Sequence, residues 1–416
     1  MDKVRVFDSL KEFKSDFDLD KAYSHLGLGI FNPQYKQLNK VLGKFREKLD
    51  RNPDLSRRYR HKLNENSRKA IGQYLQTSKD NIVLTESTTM GLSMVLNGFK
   101  FNRADEVLAC NQDHYSVLAN CHSLARTQRC SVKLIECLGE NDVDLTKEEL
   151  KARYIDAISN NTRLVVLTWV NSCFGHKIPV KEICDEIRMI NRHRSHEQRI
   201  YVLVDAVHAL GVENFDSIES LGADFVASGC HKWLFGPRGT GFLYGKDGAL
   251  ALLEPLVPSF EGECWNWFTD PKLDVHDWKN ISSRDRCEPG GFRAYENQWA
   301  LAHSFSQLTR IGKSAFTSHI YSLCQLAKHL LCSSDSIILH TPKSSAMSSG
   351  FVCFSLKGVC SKHVSHIFKD KGYMLGYTPY EKSTLRLAPS VLNSEDEVSK
   401  VCLELISFAE RASCHV

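Results

Sequence analysis

An α/β fold is what this chain predicts: a large domain with a mainly parallel sheet between helices, followed by a smaller α+β domain. Two patterns carry the prediction. Short apolar runs alternate with amphipathic stretches from about residue 68 to 244, and polar residues capable of chemistry stand just after several of those runs. Size agrees, since 416 residues with 42% apolar content can bury a large core and hold more than one domain.

Residues 1–30 mix a short amphipathic helix with a Gly-containing loop and are expected to form an arm that packs on the small domain. Helical periodicity then shows in 41–49. The alternation proper follows as helix 68–75, strand 81–84, helix 88–99, strand 106–110, helix 114–127 and strand 131–136. After an acidic stretch it resumes with strand 164–169, helix 180–194, strand 200–204 and strand-like runs at 225–227 and 241–244. Between 254 and 286 the composition turns aromatic and acidic, with Trp265, Trp267 and Trp278, which suits a long loop; the stretch from Trp265 to Trp278 is expected to cover the pocket. The domain change is placed at 285–300, giving a large domain over 31–290 and a small one over 291–416. The small domain is read as helix 296–308, a long helix 314–331, strands near 350–356 and 383–387, and a closing helix.

Composition excludes several function classes. A net charge of +4 with acids and bases interspersed is not the footprint of a nucleic-acid binder. No run of 18 apolar residues exists and the N-terminus has no apolar signal core, so neither a membrane span nor secretion is expected. Fifteen scattered cysteines without paired spacing suit a reducing compartment, and a cytoplasmic protein is the expectation. His193 and His196 have metal-ligand spacing but no third ligand nearby, so no metal site is expected, and no G-x-S-x-G elbow marks a serine hydrolase. The glycines of 236–241 precede a strand instead of opening a helix, which fails the context test for a dinucleotide loop.

The chemistry gathers at strand ends. Asp205 closes an apolar run, and a desolvated carboxylate there needs a cation or donors. Lys232 follows Ser228-Gly-Cys-His231, and a buried lysine beside a histidine is a good imine-forming amine. Together they suggest pyridoxal phosphate, with Asp205 keeping the ring nitrogen protonated and the ring acting as an electron sink. His208, three residues after Asp205, can donate to the ring oxygen or orient the aspartate. Ser87-Thr88-Thr89 opens a helix after a strand and can cup a phosphate, or can be a plain N-cap. His114 can lie flat on a heterocycle or cap its helix, and Asn171 can reach a phenolic oxygen or make an Asx turn. Arg386, in an alternating strand, can grip an α-carboxylate in a two-point bond or face solvent. For Arg293 and the basic run 57–61 the solvated reading is preferred to selection of a second acidic group.

In this order, Ser-Thr-Thr at 87–89, His114, Asn171, Asp205-x-x-His208, His231-Lys232-Trp233 and Arg386 resemble the class V aminotransferase family of fold-type I pyridoxal phosphate enzymes. The likeness spans about 20–410 and leans to the isopenicillin N epimerase-like branch through Ala223-Asp-Phe, Gly239-Thr-Gly241 and 386–393. It implies that Lys232 binds the cofactor covalently and Asp205 binds its ring nitrogen. His114 would stack on the ring, while Asn171 and His208 would approach its phenolic oxygen. Thr88, Thr89, Ser228 and His231 would gather around the phosphate, and Arg386 would hold the carboxylate of an amino-acid substrate. A homodimer with the site at the subunit interface is also implied. Two departures stand out. Residues 371–385 hold no cysteine, so the persulfide route of cysteine desulfurases is not expected, and Pro289-Gly-Gly-Phe292 offers only backbone where related desulfurases use a partner hydroxyl. Elimination from a sulfur-bearing amino acid, as in a carbon–sulfur lyase, therefore ranks just ahead of epimerisation or transamination. The rival from another class is a non-catalytic scaffold of the same fold.

Overall fold

The computed structural model describes residues 7–127, 129–139, 142–269 and 277–413. The chain begins with α1 (Leu10–Ser15), capped by Ser9, then β1 (Ser24–His25), α2 (Lys36–Arg51) and α3 (Asp54–Leu75). β2 (Ile82–Thr85) leads into α4 (Thr88–Gly98), and β3 (Glu106–Cys110) into α5 (Tyr115–Arg126). β4 (Ser131–Ile135), α6 (Lys147–Ile155), β5 (Thr162–Thr168), α7 (Val180–Asn191), β6 (Tyr201–Asp205), β7 (Phe225–Gly229) and β8 (Gly241–Gly245) complete the large sheet and its helices. α6 falls in the stretch read from sequence only as acidic. Its start was marked by the capping box Thr146 to Glu149, in which each side chain bonds the other's backbone N–H.

The seven strands lie in the order β2-β8-β7-β6-β5-β3-β4, and only β8 runs against the rest. Both faces are covered, so alternate residues of one strand feed two separate cores: Leu108, Val165 and Val204 on one side, Val107, Val166 and Leu203 on the other. This accounts for strands that read as continuous apolar runs. The chain reverses its direction of travel across the sheet between β3 and β5, which puts a crevice at their carboxyl ends.

The region 254–286 is not a plain loop. It contains α8 (Gly262–Thr269) and α9 (Ser283–Cys287), and Glu261 beside α8 meets His61 at 3.1 Å and Asn64 at 3.3 Å. Residues 270–276, the middle of the stretch expected to cover the pocket, lie outside the described residues. α10 (Tyr295–Ile311) packs on α2 and α3, although the sequence reading put it in the second domain. Ser67 Oγ donates to the Gln298 carbonyl at 2.7 Å across that contact. Gly312, whose φ is +90°, turns the chain from α10 into α11 (Lys313–Leu331).

After α11 come β9 (Ile337–Leu339), β10 (Val352–Leu356), α12 (Ser361–Asp370), β11 (Tyr373–Met374), β12 (Gly376–Tyr377), β13 (Leu385–Leu387) and α13 (Glu395–Ser413). They form an antiparallel sheet in the order β12-β13-β10-β9, with α11 against α13. The N-terminal arm joins this body: β1 pairs in parallel with β11, and the Ala388 N–H donates to the Leu26 carbonyl at 2.7 Å.

Candidate active site

The carboxyl ends of β3, β5, β6 and β7 converge on one place, and the small sheet supplies its far wall. Asp205 ends β6, is 2% exposed, and accepts a 3.1 Å bond from the Val207 N–H. Burial raises its pKa, while the Val207 donor and the Lys232 cation pull it back. Three residues on, His208 is clamped. Its Nδ1 accepts from the Trp233 indole N–H at 3.3 Å, so the neutral ring carries its proton on Nε2, which stands 3.2 Å from Lys232 Nζ. Burial, helped by Lys232, Arg386, His114 and His231, holds this imidazole well below the usual range.

Lys232 follows β7. Desolvation pushes its amine down to about 8, with Arg386 acting in the same direction and Asp205 opposing. An amine in this state has an appreciable neutral fraction at neutral pH and can accept the His208 proton as a hydrogen bond. The backbone beside it is pinned from the arm, because Asn32 donates through Nδ2 to the Lys232 carbonyl at 2.8 Å and through its N–H to the His231 carbonyl at 3.2 Å.

The anion cup forms where α4 begins. Ser87 caps the helix by accepting from the Met90 N–H at 3.1 Å, so the N-cap reading of this motif is present in the structure. The first N–H groups of a helix have no intrahelical partner. Thr88 is buried and its Oγ1 accepts from the Gly229 N–H at 2.7 Å, whereas Thr89 is exposed in the single chain. Ser228 is wholly buried and His231 Nδ1 is buried without a partner. A Cβ on Gly229 would sit 3.0 Å from Thr88 Oγ1 and 3.2 Å from His231, so only glycine leaves the cup open. Helix N–H groups, hydroxyls and an unpartnered ring nitrogen are a donor set that fits a phosphate.

His114 takes the capping part of its two anticipated ones. It caps α5 through Nδ1, at 3.2 Å from the Ser116 N–H, and its ring lies where Lys232 and Arg386 add to burial in lowering its pKa. Asn171 makes the Asx turn: Oδ1 accepts from the Cys173 and Phe174 N–H groups, and Nδ2 donates to the Gln112 carbonyl at 3.0 Å. Arg386, in the middle of β13, is 6% exposed, so the solvated alternative fails. It donates to the Ser172 carbonyl at 3.3 Å and lies over the Phe351 ring at 5.4 Å, with His208 edge-on to the same ring.

One further expectation is corrected. Arg293 is not solvated: it pairs with Glu288 and Glu86, each at 3.0 Å, and Glu288 also meets the fully buried Arg68 at 3.1 Å. The buried carboxylate draws both arginines in, a long-range pairing that single-sequence patterning does not show. The basic run divides, with Arg57 and Arg58 on Asp54 and Arg60 and His61 on the Glu261 segment. Sequence reading missed Trp233 as partner of His208, Asn32, and Tyr380, whose hydroxyl bonds Ser172 Oγ beside Arg386. The His-Lys-Trp triplet was the one available signal for the first. Nothing local marked the other two.

Comparisons with known proteins bear on the family and the fold. Residues 51–376 match the model of the family described as Aminotransferase class-V. A probable cysteine desulfurase of Haemophilus influenzae is 26% identical over 356 residues, covering 80% of this chain and 74% of the relative. Isopenicillin N epimerase of Streptomyces clavuligerus is 26% identical over 340 residues, covering 81% and 82%. Among solved structures, the cystine C–S lyase C-DES in complex with its reaction product cysteine persulfide superimposes with a TM-score of 0.79 at 18% identity, over 92% of this chain and 97% of the other. The cysteine desulfurase of Thermococcus onnurineus NA1 gives 0.80 at 20% identity, over 99% and 100%. With its family match spanning most of its length and the fold shared by these structures, the chain belongs to the class-V aminotransferase family.

Proposed function

We propose that the protein is a pyridoxal phosphate-dependent carbon–sulfur lyase acting on an amino acid. The observation that carries the reading is the amine of Lys232, brought to about 8 by burial, 3.2 Å from a neutral His208 and acted on by the charge of Asp205. Bound pyridoxal phosphate supplies an electron sink for charge at the substrate α carbon. Thr88, Thr89, Ser228 and His231 would hold its phosphate, Asp205 the proton at its ring nitrogen, His114 the ring face, and Asn171 and His208 the phenolic oxygen. Lys232 would hold the cofactor covalently and then take the Cα proton on Nζ. Arg386 would fix the substrate carboxylate so that the bond to be broken stands perpendicular to the ring.

The desulfurase and C–S lyase names among the relatives and structural neighbours support sulfur chemistry. No cysteine lies in 371–385, and Cys353, which pairs in register with Arg386, is fully buried and raised to about 11 by that burial. A thiol in that state is a poor nucleophile, which favours elimination over transfer of sulfur to the enzyme. Epimerisation or transamination at the same Cα is the second reading, supported by the epimerase relative.

A homodimer is part of the proposal, and a cytoplasmic location is retained with it. Phe292 and Tyr115 are 85% and 77% exposed, and Leu256 and Val257 lie exposed beside the start of α4. Such apolar side chains suit burial against a second copy. Light scattering should give about twice the 47.2 kDa of one chain. Among the described residues no helix is long and apolar enough to cross a membrane.

The purified protein should absorb as a lysine-bound pyridoxal phosphate, bleach with borohydride, and lose the chromophore in Lys232→Ala. Incubation with sulfur-bearing amino acids should release pyruvate, ammonia and a sulfur product. A keto acid formed only with an added acceptor would assign transamination instead, and racemised substrate would assign epimerisation. A colourless chain indifferent to added cofactor would be a scaffold.

A further inference from the structure

Directly before His114, and buried to 1% exposure, stands a second carboxylate that the reading above does not use. Asp113 Oδ2 accepts from the Cys110 N–H at the end of β3 at 3.0 Å, and Oδ1 accepts from Thr168 Oγ1 at the end of β5 at 2.6 Å. β3 and β5 are paired only through Leu108 and Val165, and no pairing extends to Cys110 and Thr168. The Asp113–Thr168 bond is therefore a tie across the crevice where the sheet reverses. Thr168 is itself in register with Asp205, and the next N–H, of Trp169, donates to the Asp205 carbonyl at 2.9 Å. One short path thus joins the helix cap that carries His114 to the strand end that carries Asp205.

We propose that Asp113 is a positioning residue for the cofactor. Through Thr168 it sets the spacing between His114 and Asp205, and its own charge modulates the charge offered at the ring nitrogen. This rests on the pyridoxal phosphate reading.

The surroundings make Asp113 the natural second charge. The ionisable groups acting with it are Cys110 of β3, Cys121 of α5, Tyr154 of α6, Tyr380 between β12 and β13, and Asp205 of β6. The first four are thiols and phenols with raised pKa values, neutral at pH 7, and no cation is among them. Asp205 has Lys232 to favour its charge, whereas Asp113 has no such cation. Burial, opposed by Thr168 and the Cys110 N–H and reinforced by Asp205, keeps the Asp113 proton up to about 7. Above that, a second negative charge near Asp205 strengthens proton retention around the ring.

The sign in the cofactor-free chain follows by linkage. A carboxyl raised from 3.8 to about 7 on folding binds its proton more tightly in the folded state. Its contribution is full at low pH and is lost as pH rises through that window. Asp113→Asn keeps the shape and removes the titration. Two readouts are expected: the alkaline transition of the cofactor absorbance moves down by roughly half a unit or more, and the fall in melting temperature of the cofactor-free chain between pH 5 and 8 flattens. Thr168→Val, which keeps the carboxylate but removes its donor, should move that fall to higher pH.

Asp113→Asn with an absorbance transition and melting profile coincident with the parent's would overturn the proposal. So would a Thr168→Val profile that does not move, which decides the matter if Asp113→Asn fails to fold. A parent chain that never acquires the absorbance sinks the cofactor reading and this role with it. The melting profiles would in that case still report the titration of Asp113.

Discussion

Lysine 232 shows how a residue's chemistry is set by what surrounds it. An exposed lysine is charged until far above neutrality, but here burial, with Arg386 adding to it, brings the amine to about 8 against the pull of Asp205. The capture of pyridoxal phosphate by the cofactor-free chain needs the neutral amine. Its rate, followed by the growth of absorbance, should therefore rise about tenfold per pH unit below 8 and level off above it. A rate flat from pH 6 to 9 would contradict the burial argument. His208 contributes no inflection in that range, since Trp233 and burial keep it neutral throughout. Asp205, His208 and Lys232 could be picked from sequence because each stands at the end of an apolar run. Asp113 carries no such local mark, because its significance lies in a bond from Thr168, 55 positions away.

At the level of elements, the site depends on one sharp turn after β6. Gly211 has φ +94°, and a Cβ there would meet the Trp233 carbonyl oxygen at 2.5 Å and Trp233 Cβ at 2.8 Å. The turn holds His208 against Trp233, so strain at 211 reaches the lysine through its neighbour. Gly211→Ala should cost about 2 kcal/mol or more from backbone strain alone. It should appear as a lower melting temperature with weakened cofactor retention, and wild-type stability in this variant would contradict the account. The α/β alternation was readable because short continuous apolar runs in β3, β5 and β6 separate cleanly from the 3.6-residue period of α5 and α7. The packing of α10 on α2 and α3 was not readable, because periodicity reports that a helix has an apolar face and not which partner covers it.

Across the whole molecule, one buried network ties the edge of the sheet to the 254–293 region. Glu288, 1% exposed, accepts from the Leu84 N–H at 2.9 Å and sits between Arg68 and Arg293. Burial works against its charge, but the two arginines outweigh it and hold the carboxyl below the usual range. Glu288→Gln would leave two arginines short of their partner and should cost about 3 kcal/mol or more. A carboxyl depressed on folding stabilises above its unfolded pKa and loses that contribution as pH falls through the folded value. The difference from the parent, measured as a denaturation midpoint, should therefore be full near pH 7 and shrink in acid. By itself the sequence determined the class of fold and marked Lys232 and Asp205 at strand ends as candidates for chemistry, because these follow from local periodicity and from the rarity of charge beside apolar runs. Only the tertiary structure decided the burial of Arg293, the Trp233 clamp on His208, the hold of the arm through Asn32 and the Asp113–Thr168 tie. Each is a contact between residues distant in the chain or a matter of how much water remains around a charge, and both are fixed by packing in three dimensions.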